Sequence, residues 1–337
     1  MSFSILGTGM YVPERVVTND ELAGLVDTSD EWIMKRVGVR QRHVCTDQTA
    51  ADLAYHAAVR ALENSGCQPD ELDLILAATV SGETVSPSVS CLVQQRLGAA
   101  CMAFDLNAAC SAFLFLLDVA AGYFARGKAK KVLVIGAERM SRIVDWTDRS
   151  TCVIFGDGAG AAVLGEGDDY LCSTFTVQGG EEVIKIPQFA GKSPFYQKEP
   201  DAPYIFMNGQ ETFKYAVKSI CQDVPSLLRE LGLTADDLAY IIPHQANKRI
   251  IDFASRQCGI PKEKFYLNID RFGNTSSASV PMALDELNRS GKLHQGDRLL
   301  LTAFGGGLAH ASCIIRLSLI HICIAKEDFE ASRPLII

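Results

Sequence analysis

Leu74-Ile75-Leu76-Ala77-Ala78 and, 166 residues later, Tyr240-Ile241-Ile242 are the two short apolar runs that decide how this chain is read. Short runs without polar alternation fit strands buried on both faces, as in a parallel sheet. Each follows a stretch of helical periodicity closed by glycine. Ala50 to Ser65 stops at Gly66, and Glu211 to Leu231 stops at Gly232; glycine readily adopts the left-handed conformation that ends a helix. Each run is also followed by a second one, Val132-Leu133-Val134-Ile135 or Leu299-Leu300-Leu301. Three landmarks, at 66, 74 and 133, map onto 232, 240 and 299 with that same offset of 166. Alternating helices and strands argue for an α/β protein. The shared offset goes further and argues for an internal duplication. The halves are 1–165 and 166–317, and 318–337 is a tail outside the repeat.

The rest of the sequence is consistent with a folded, soluble chain of two domains. It has 337 residues, 48% hydrophobic and 21% charged, the balance of a globular protein long enough to bury a core without staples. A net charge of −8 disfavours bulk nucleic-acid binding. The 11 cysteines contain no CxxC pair, which excludes zinc ribbons and thioredoxin-type redox motifs. The start, Met-Ser-Phe-Ser-Ile-Leu-Gly, lacks a basic region and a cleavage site, so no secretory signal is expected. The expected compartment is a reducing cytoplasm, with most thiols acting as small buried apolar groups. The longest apolar stretch, Ala112 to Ala125, carries Asp118 and is too short to span a bilayer.

Several segments carry possible chemistry. Phe104 to Ala112 begins like a strand and enters an apolar helix, with Cys110 at the turn between them. Unpaired N–H groups and the positive dipole end at such a turn favour a thiolate; the other reading is one more buried thiol. Gly273-Asn274-Thr275-Ser276-Ser277-Ala278-Ser279 is the matching turn of the second half. Small residues on both helices would let their N-termini meet, bringing Asn274 near Cys110; alone, Asn274 reads as a helix cap. Ile241-Ile242-Pro243-His244-Gln245-Ala246-Asn247 is a strand running into histidine, where α/β proteins place sites, although a satisfied structural histidine fits too. Phe304-Gly305-Gly306-Gly307 exposes backbone N–H groups suited to an oxyanion, and no Gly-Lys-Ser/Thr follows to make it a phosphate loop. Gly7-Thr8-Gly9 and Gly156-Asp157-Gly158-Ala159-Gly160 lack the dinucleotide spacing; the latter reads as tight packing.

Taken together, Cys110, His244 and Asn274 with these flanks resemble the β-ketoacyl-[acyl-carrier-protein] synthase III family, the initiating condensing enzymes of type II fatty-acid synthesis. The resemblance runs from Ile5 to Leu317. Its other specific pieces are Asp30-Glu31-Trp32-Ile33 with Arg36, and Phe155 to Ala161. It implies the thiolase-like fold: two duplicated α/β halves in a five-layered αβαβα arrangement. It also implies roles by position. Cys110 is the acylated nucleophile. His244 and Asn274 hold the malonyl thioester oxygen. The Cys110 and Gly306 amides form the oxyanion hole, and Phe304 lies over the decarboxylating group. Asn274, in place of the second histidine of elongating synthases, points to the initiating branch. Whether His244 also acts as a base toward Cys110 stays open.

The resemblance extends to ligands and partners. Trp32 and Arg149 would sandwich the coenzyme A adenine and Arg36 would meet its phosphates, against a half-buried aromatic as the other reading of Trp32. Thr28, Gly209, Phe213, Ala246 and Asn247 would line the pantetheine path. Ser86, where the family has a large aromatic, would gate the primer pocket from a partner subunit in a homodimer. Lys214, Arg249 and Arg256 would dock the acidic carrier protein; otherwise they are solvated surface charges. Substrates are an acyl-CoA and malonyl-acyl-carrier protein, with no metal and no cofactor. An acyltransferase of secondary metabolism on the same fold is the alternative. One departure stands out: the glycine loop continues Leu308-Ala309-His310-Ala311-Ser312, not Thr-Trp-Gly-Ser.

Overall fold

In the computed structural model, which describes residues 2–187, 195 and 202–317, the two apolar runs are strands of two separate sheets, the first an inner strand and the second an edge strand. The first half begins with β1 (Ser2–Tyr11), followed by β2 (Val16–Thr18), α1 (Asn19–Ala23), α2 (Asp30–Arg36) and β3 (Gln41–His43). Then come α3 (Ala50–Ser65), β4 (Leu74–Ala78), α4 (Val89–Leu97), β5 (Met102–Leu106), α5 (Ala112–Ala125), β6 (Lys131–Glu138) and β7 (Gly158–Gly167). The sheet order is β1-β7-β6-β4-β5. β4 runs parallel to both β5 and β6, and β7 is antiparallel to β6 and β1. β2 and β3 pair beside this sheet.

The second half contains β8 (Tyr170–Val177), a small pair formed by β9 (Ile184–Lys185) and β10 (Phe206–Met207), and α6 (Gly209–Glu230). β11 (Tyr240–Pro243), α7 (Lys248–Cys258), α8 (Ile269–Phe272), α9 (Ser279–Arg289), β12 (Arg298–Gly305) and β13 (Ala309–Arg316) complete it. Its sheet order, β8-β13-β12-β11, repeats β1-β7-β6-β4. Where β5 lies in the first sheet, the second has a single parallel bridge between Ile241 and Phe265.

α3 and α4 cover the outer face of the first sheet, α5 and α9 lie between the sheets, and α6 and α7 cover the outer face of the second. That makes five layers. α5 is apolar nearly all round because both sheets enclose it. The sequence supports each local choice. Thr49 caps α3 with a capping box, and Gly66 ends it at φ 69°. α6 starts two residues earlier than its periodicity predicts, because Asn208 accepts the Glu211 N–H and caps it there.

Glycines of both glycine-rich stretches serve packing, a role the sequence predicts for Gly156 to Gly160 alone. A Cβ on Gly9 would lie 2.4 Å from the Ala57 carbonyl oxygen, so β1 meets α3 backbone to backbone. A Cβ on Gly160 would lie 2.6 Å from the Met282 backbone nitrogen, where β7 meets α9. Among the described residues no helix is long and apolar enough to cross a membrane. The tail assigned to 318–337 lies outside the described residues.

Candidate active site

Cys110 sits between β5 and α5, inside the one-turn helix Ala109–Ser111. The matching turn, Ser276–Ala278, leads into α9. Both turns place a non-glycine residue in the left-handed region, Ala109 at φ 47° and Ser276 at φ 49°, at a cost of about 1–2 kcal/mol each. The turns meet between the halves, and the Ser276 hydroxyl approaches Cys110 Sγ at 3.4 Å. The closeness depends on Gly136 of β6, where a Cβ would lie 2.4 Å from the Ser277 carbonyl oxygen.

A cavity opens from this meeting point to solvent. It brings together Cys110, His244, Asn274, Phe304 and Gly306 at its inner end. Gly209, Phe213, Ala246 and Asn247 line the rest of it. These residues come from strand ends and helix starts of both halves, so no single segment could have built the site.

His244 immediately follows β11 and is 1% exposed. Its N–H donates to the Thr302 carbonyl at 2.8 Å and its Nδ1 lies 2.6 Å from the Ser279 hydroxyl. The Phe304 ring meets the imidazole edge-on at 5.3 Å between centroids. Burial drives the imidazole pKa down to about 3, so His244 is neutral throughout the physiological range. Asn274 is held by its backbone, which donates to the Ile154 carbonyl and accepts from the Gly156 N–H. Its Oδ1 accepts the Ser276 N–H at 2.8 Å. That bond commits the oxygen and leaves the Nδ2 donors for a ligand. The inner cavity thus offers a neutral imidazole and an amide as hydrogen-bond partners.

The thiol differs from expectation. The turn was expected to favour thiolate, but burial pushes the Cys110 thiol up to about 12, the nearby Glu138 carboxylate adds to the rise, and the Ser276 hydroxyl opposes it. A short turn facing an apolar cavity does not offset desolvation of the anion. With His244 neutral as well, the resting pair is thiol and imidazole.

Trp32, Arg36 and Arg149 form a cluster of their own outside the cavity lining. The Arg149 guanidinium lies 5.3 Å above the Trp32 ring and that of Arg36 lies 6.0 Å away. Arg149 also bonds the Asp27 carbonyl. The cluster abuts the cavity mouth, since Asn247 Nδ2 donates to the Arg36 carbonyl at 3.1 Å. Thr28, just before α2, has a buried hydroxyl without a partner. Ser86 is exposed and does not line the cavity.

Lys214, Arg249 and Arg256 are exposed on α6 and α7. Lys214 pairs with Glu211 at 2.8 Å. Arg249 lies over the Phe213 ring and Arg256 over the exposed Phe253. Among the described residues no cluster of His, Cys, Asp or Glu could hold a metal ion. His310, in the segment that departs from the family pattern, belongs to β13; it is buried, bonds Asp223 Oδ2 at 2.9 Å, packs toward α6 and does not line the cavity.

Sequence reasoning missed Ser276 and Ser279 as partners of the reacting groups, though both stand in the quoted turn. It also missed the apolar wall contributed by Ile184, Ile186, Ile205 and Met207, for which short isolated apolar residues gave no signal.

Two family models match the chain: 3-oxoacyl-[acyl-carrier-protein (ACP)] synthase III over residues 104–179, and the C-terminal part of the same description over residues 228–317. A β-ketoacyl-[acyl-carrier-protein] synthase III of Clostridium acetobutylicum is 43% identical over 322 residues, covering 94% of this chain and 98% of the relative. Its counterpart in Xanthomonas campestris is 48% identical over 316 residues, covering 93% and 97%. The crystal structure of 3-oxoacyl-[acyl-carrier-protein] synthase III from Aquifex aeolicus superposes with a TM-score of 0.87 at 43% identity, covering 93% of this chain and 99% of that one.

Proposed function

The chain belongs to the 3-oxoacyl-[acyl-carrier-protein] synthase III family, and from that premise we propose how its residues divide the work. It has the family's thiolase fold and is an acyltransferase that makes the initiating condensation of fatty-acid synthesis. The halves divide near residue 165, and the subunits pair as a homodimer in the cytoplasm, with Ser86 of the partner subunit gating the primer pocket.

An acyl-CoA primer enters the cavity, and Cys110 Sγ attacks its thioester carbon. The bond to the coenzyme A sulfur breaks, and the proton that leaves Cys110 ends on that sulfur. The tetrahedral oxyanion rests on the backbone N–H groups of Cys110 and Gly306. This is covalent catalysis with ping-pong order. Malonyl-acyl-carrier protein then takes the same path. Loss of carbon dioxide leaves an enolate, whose oxygen receives hydrogen bonds from His244 and Asn274. Each such preorganised donor contributes about 2.7–4 kcal/mol. Phe304 keeps the departing carboxylate in an apolar setting, which favours its loss as neutral carbon dioxide. The enolate carbon attacks the acyl-cysteine, the Cys110 thiolate leaves, and a proton restores the thiol. The chain's own groups supply each step, so the reading needs no metal and no cofactor.

Trp32 and Arg149 receive the adenine; Arg149 lies on the ring face in this structure, so an entering base displaces it and stacks between the two. Arg36 meets the phosphates, and Thr28, Gly209, Phe213, Ala246 and Asn247 guide the pantetheine. Lys214, Arg249 and Arg256 dock the acidic carrier protein. The observation that carries the reading is the convergence of Cys110, His244 and Asn274 on one cavity. The test is intact-protein mass spectrometry after exposure to a panel of acyl-CoAs, then to malonyl-acyl-carrier protein. Parent enzyme gains one acyl group and releases 3-oxoacyl product; Cys110→Ser gains none. Acylation of the Cys110→Ser protein at another cysteine would remove Cys110 as nucleophile, and a panel product made without loss of carbon dioxide would favour a plain acyltransferase.

A further inference from the structure

Two hydroxyls on one turn of the second half touch the two reacting side chains. Ser276 Oγ lies 3.4 Å from Cys110 Sγ, and Ser279 Oγ lies 2.6 Å from His244 Nδ1. Both serines are buried, at 1% and 2% exposure. The turn that carries them is held from behind. Ser276 N–H donates to Asn274 Oδ1 at 2.8 Å, and the Ser277 hydroxyl reaches Glu138 Oε1 at 2.7 Å. Glu138 is in turn bonded by the Val80 N–H at 3.0 Å and the Thr79 hydroxyl at 3.2 Å.

The bonding at Ser279 determines which imidazole nitrogen carries hydrogen. Ser279 Oγ already accepts the Gln245 backbone N–H at 3.3 Å. Its single proton then has one acceptor among the described residues, His244 Nδ1. If Nδ1 carried the hydrogen instead, the Ser279 oxygen would take two donors and its own buried proton would have no acceptor, which is costly. The neutral ring therefore carries its hydrogen on Nε2. Held by Nδ1, the imidazole offers Nε2–H as its remaining donor, the form required to stabilise an enolate oxygen. At Cys110 the need is different. A sulfur anion that forms in an apolar cavity is stabilised by a hydroxyl donor, and the Ser276 hydroxyl is within reach of the sulfur at 3.4 Å.

We propose that this turn serves the two half-reactions separately: Ser276 is a further catalytic residue that donates to the Cys110 sulfur during acylation, and Ser279 is a positioning residue that fixes His244 as the Nε2–H tautomer for decarboxylation. The proposal deepens the condensing-enzyme reading and rests on it.

The experiment compares Ser276→Ala, Ser279→Ala and Ser279→Thr with the parent full-length enzyme. Self-acylation by acetyl-CoA and decarboxylation of malonyl-acyl-carrier protein by pre-acylated enzyme are timed separately. Nitrogen-15 NMR of histidine-labelled protein reads the tautomer, with His244→Ala identifying its signals. Ser276→Ala should slow acylation about tenfold, raising the ratio of decarboxylation to acylation, and should slow iodoacetamide labelling of Cys110 to a similar degree. Ser279→Ala should move that ratio down about tenfold and turn the His244 signals into a mixture of tautomers, and Ser279→Thr should restore both. Parallel loss of both half-reactions in the two alanine variants, or an unchanged tautomer in Ser279→Ala, would overturn the proposal. The labelling rate and the NMR signals need no substrate. A parent enzyme that neither acylates nor decarboxylates would therefore defeat the functional reading by itself, while those two measurements still decide the serine assignments.

Discussion

Gly305 and Gly306 are neighbours where β12 gives way to its turn, yet the structure gives a methyl group on each a different outcome. A Cβ on Gly305 would lie 2.8 Å from Cys110 Cβ, 2.9 Å from its backbone nitrogen and 3.2 Å from Sγ. Carbon atoms in contact stand about 3.5–4.0 Å apart, so Gly305→Ala requires a displacement of about 1 Å. Neither side yields easily. Gly305 ends β12 and pairs with Ala309, while Cys110 follows Ala109, already at φ 47°. Overpacking of this kind costs about 1–3 kcal/mol of stability, and a 1 Å displacement of a reacting atom costs about 100-fold in rate. A Cβ on Gly306 would meet its nearest atom, Ala109 Cβ, at 3.4 Å, an ordinary contact, and the backbone N–H proposed for the oxyanion stays in place. The loss in Gly306→Ala should then be at least tenfold smaller than in Gly305→Ala. The assay is the rate of self-acylation by acetyl-CoA, followed by intact mass, with thermal melting to establish that both variants are folded. A folded Gly305→Ala enzyme that acylates within about threefold of the parent, beside an inactive Gly306→Ala, would refute the geometry.

His244→Ala and Asn274→Ala should retain most self-acylation while losing malonyl decarboxylation by about 100- to 1000-fold; equal loss of both steps, measured by intact mass and carbon dioxide release, contradicts the enolate role. Because burial pushes the Cys110 thiol up to about 12, the thiolate fraction, and with it iodoacetamide labelling, should rise about tenfold per pH unit from about pH 7 to about pH 10 without levelling. His244, held near 3, gains no proton as pH falls through the ordinary histidine range, so decarboxylation by pre-acylated enzyme should show no acidic limb near about 6.5. Arg249→Glu should slow the malonyl-carrier reaction about tenfold at low salt, with the effect shrinking as salt screens it and with acylation by free acyl-CoA affected far less; equal damage to both substrates would show that the patch is not a docking face.

What the sequence made legible, and what it hid, divides along a physical line. The strands at 74 and 240 and the glycine stops at 66 and 232 were readable because each depends on its own neighbours: an apolar run, a cap, a residue that tolerates positive φ. Cys110 and His244 were readable as candidates because each sits where a strand stops, and Asn274 because it sits between a glycine and a helical turn. The ionisation of the site was not legible, and the expected thiolate was wrong for that reason. Local sequence reports the dipole of the turn, but the desolvation that outweighs it comes from the whole apolar enclosure, which segments more than 160 residues apart assemble. Ser279 shows the same limit from the other side. In sequence it is one small residue on a helix packed against a neighbour; only the crossing of β11 with α9 sets its hydroxyl against the histidine. Arg42 is the plainest case: an arginine in a short strand reads as surface, yet it is fully buried, bonded to Asn19 and to the Val17 and Val153 carbonyls. Its burial pulls its pKa down to about 10, and Gly156 and Gly273 pack against its side chain next to Asn274. The join to the second half beside this cation is made by backbone: the Asn274 N–H donates to the Ile154 carbonyl and the Asn274 carbonyl accepts the Gly156 N–H, so the duplication supplies two similar frames, and the segment that carries Asn274 ties them together at the cavity.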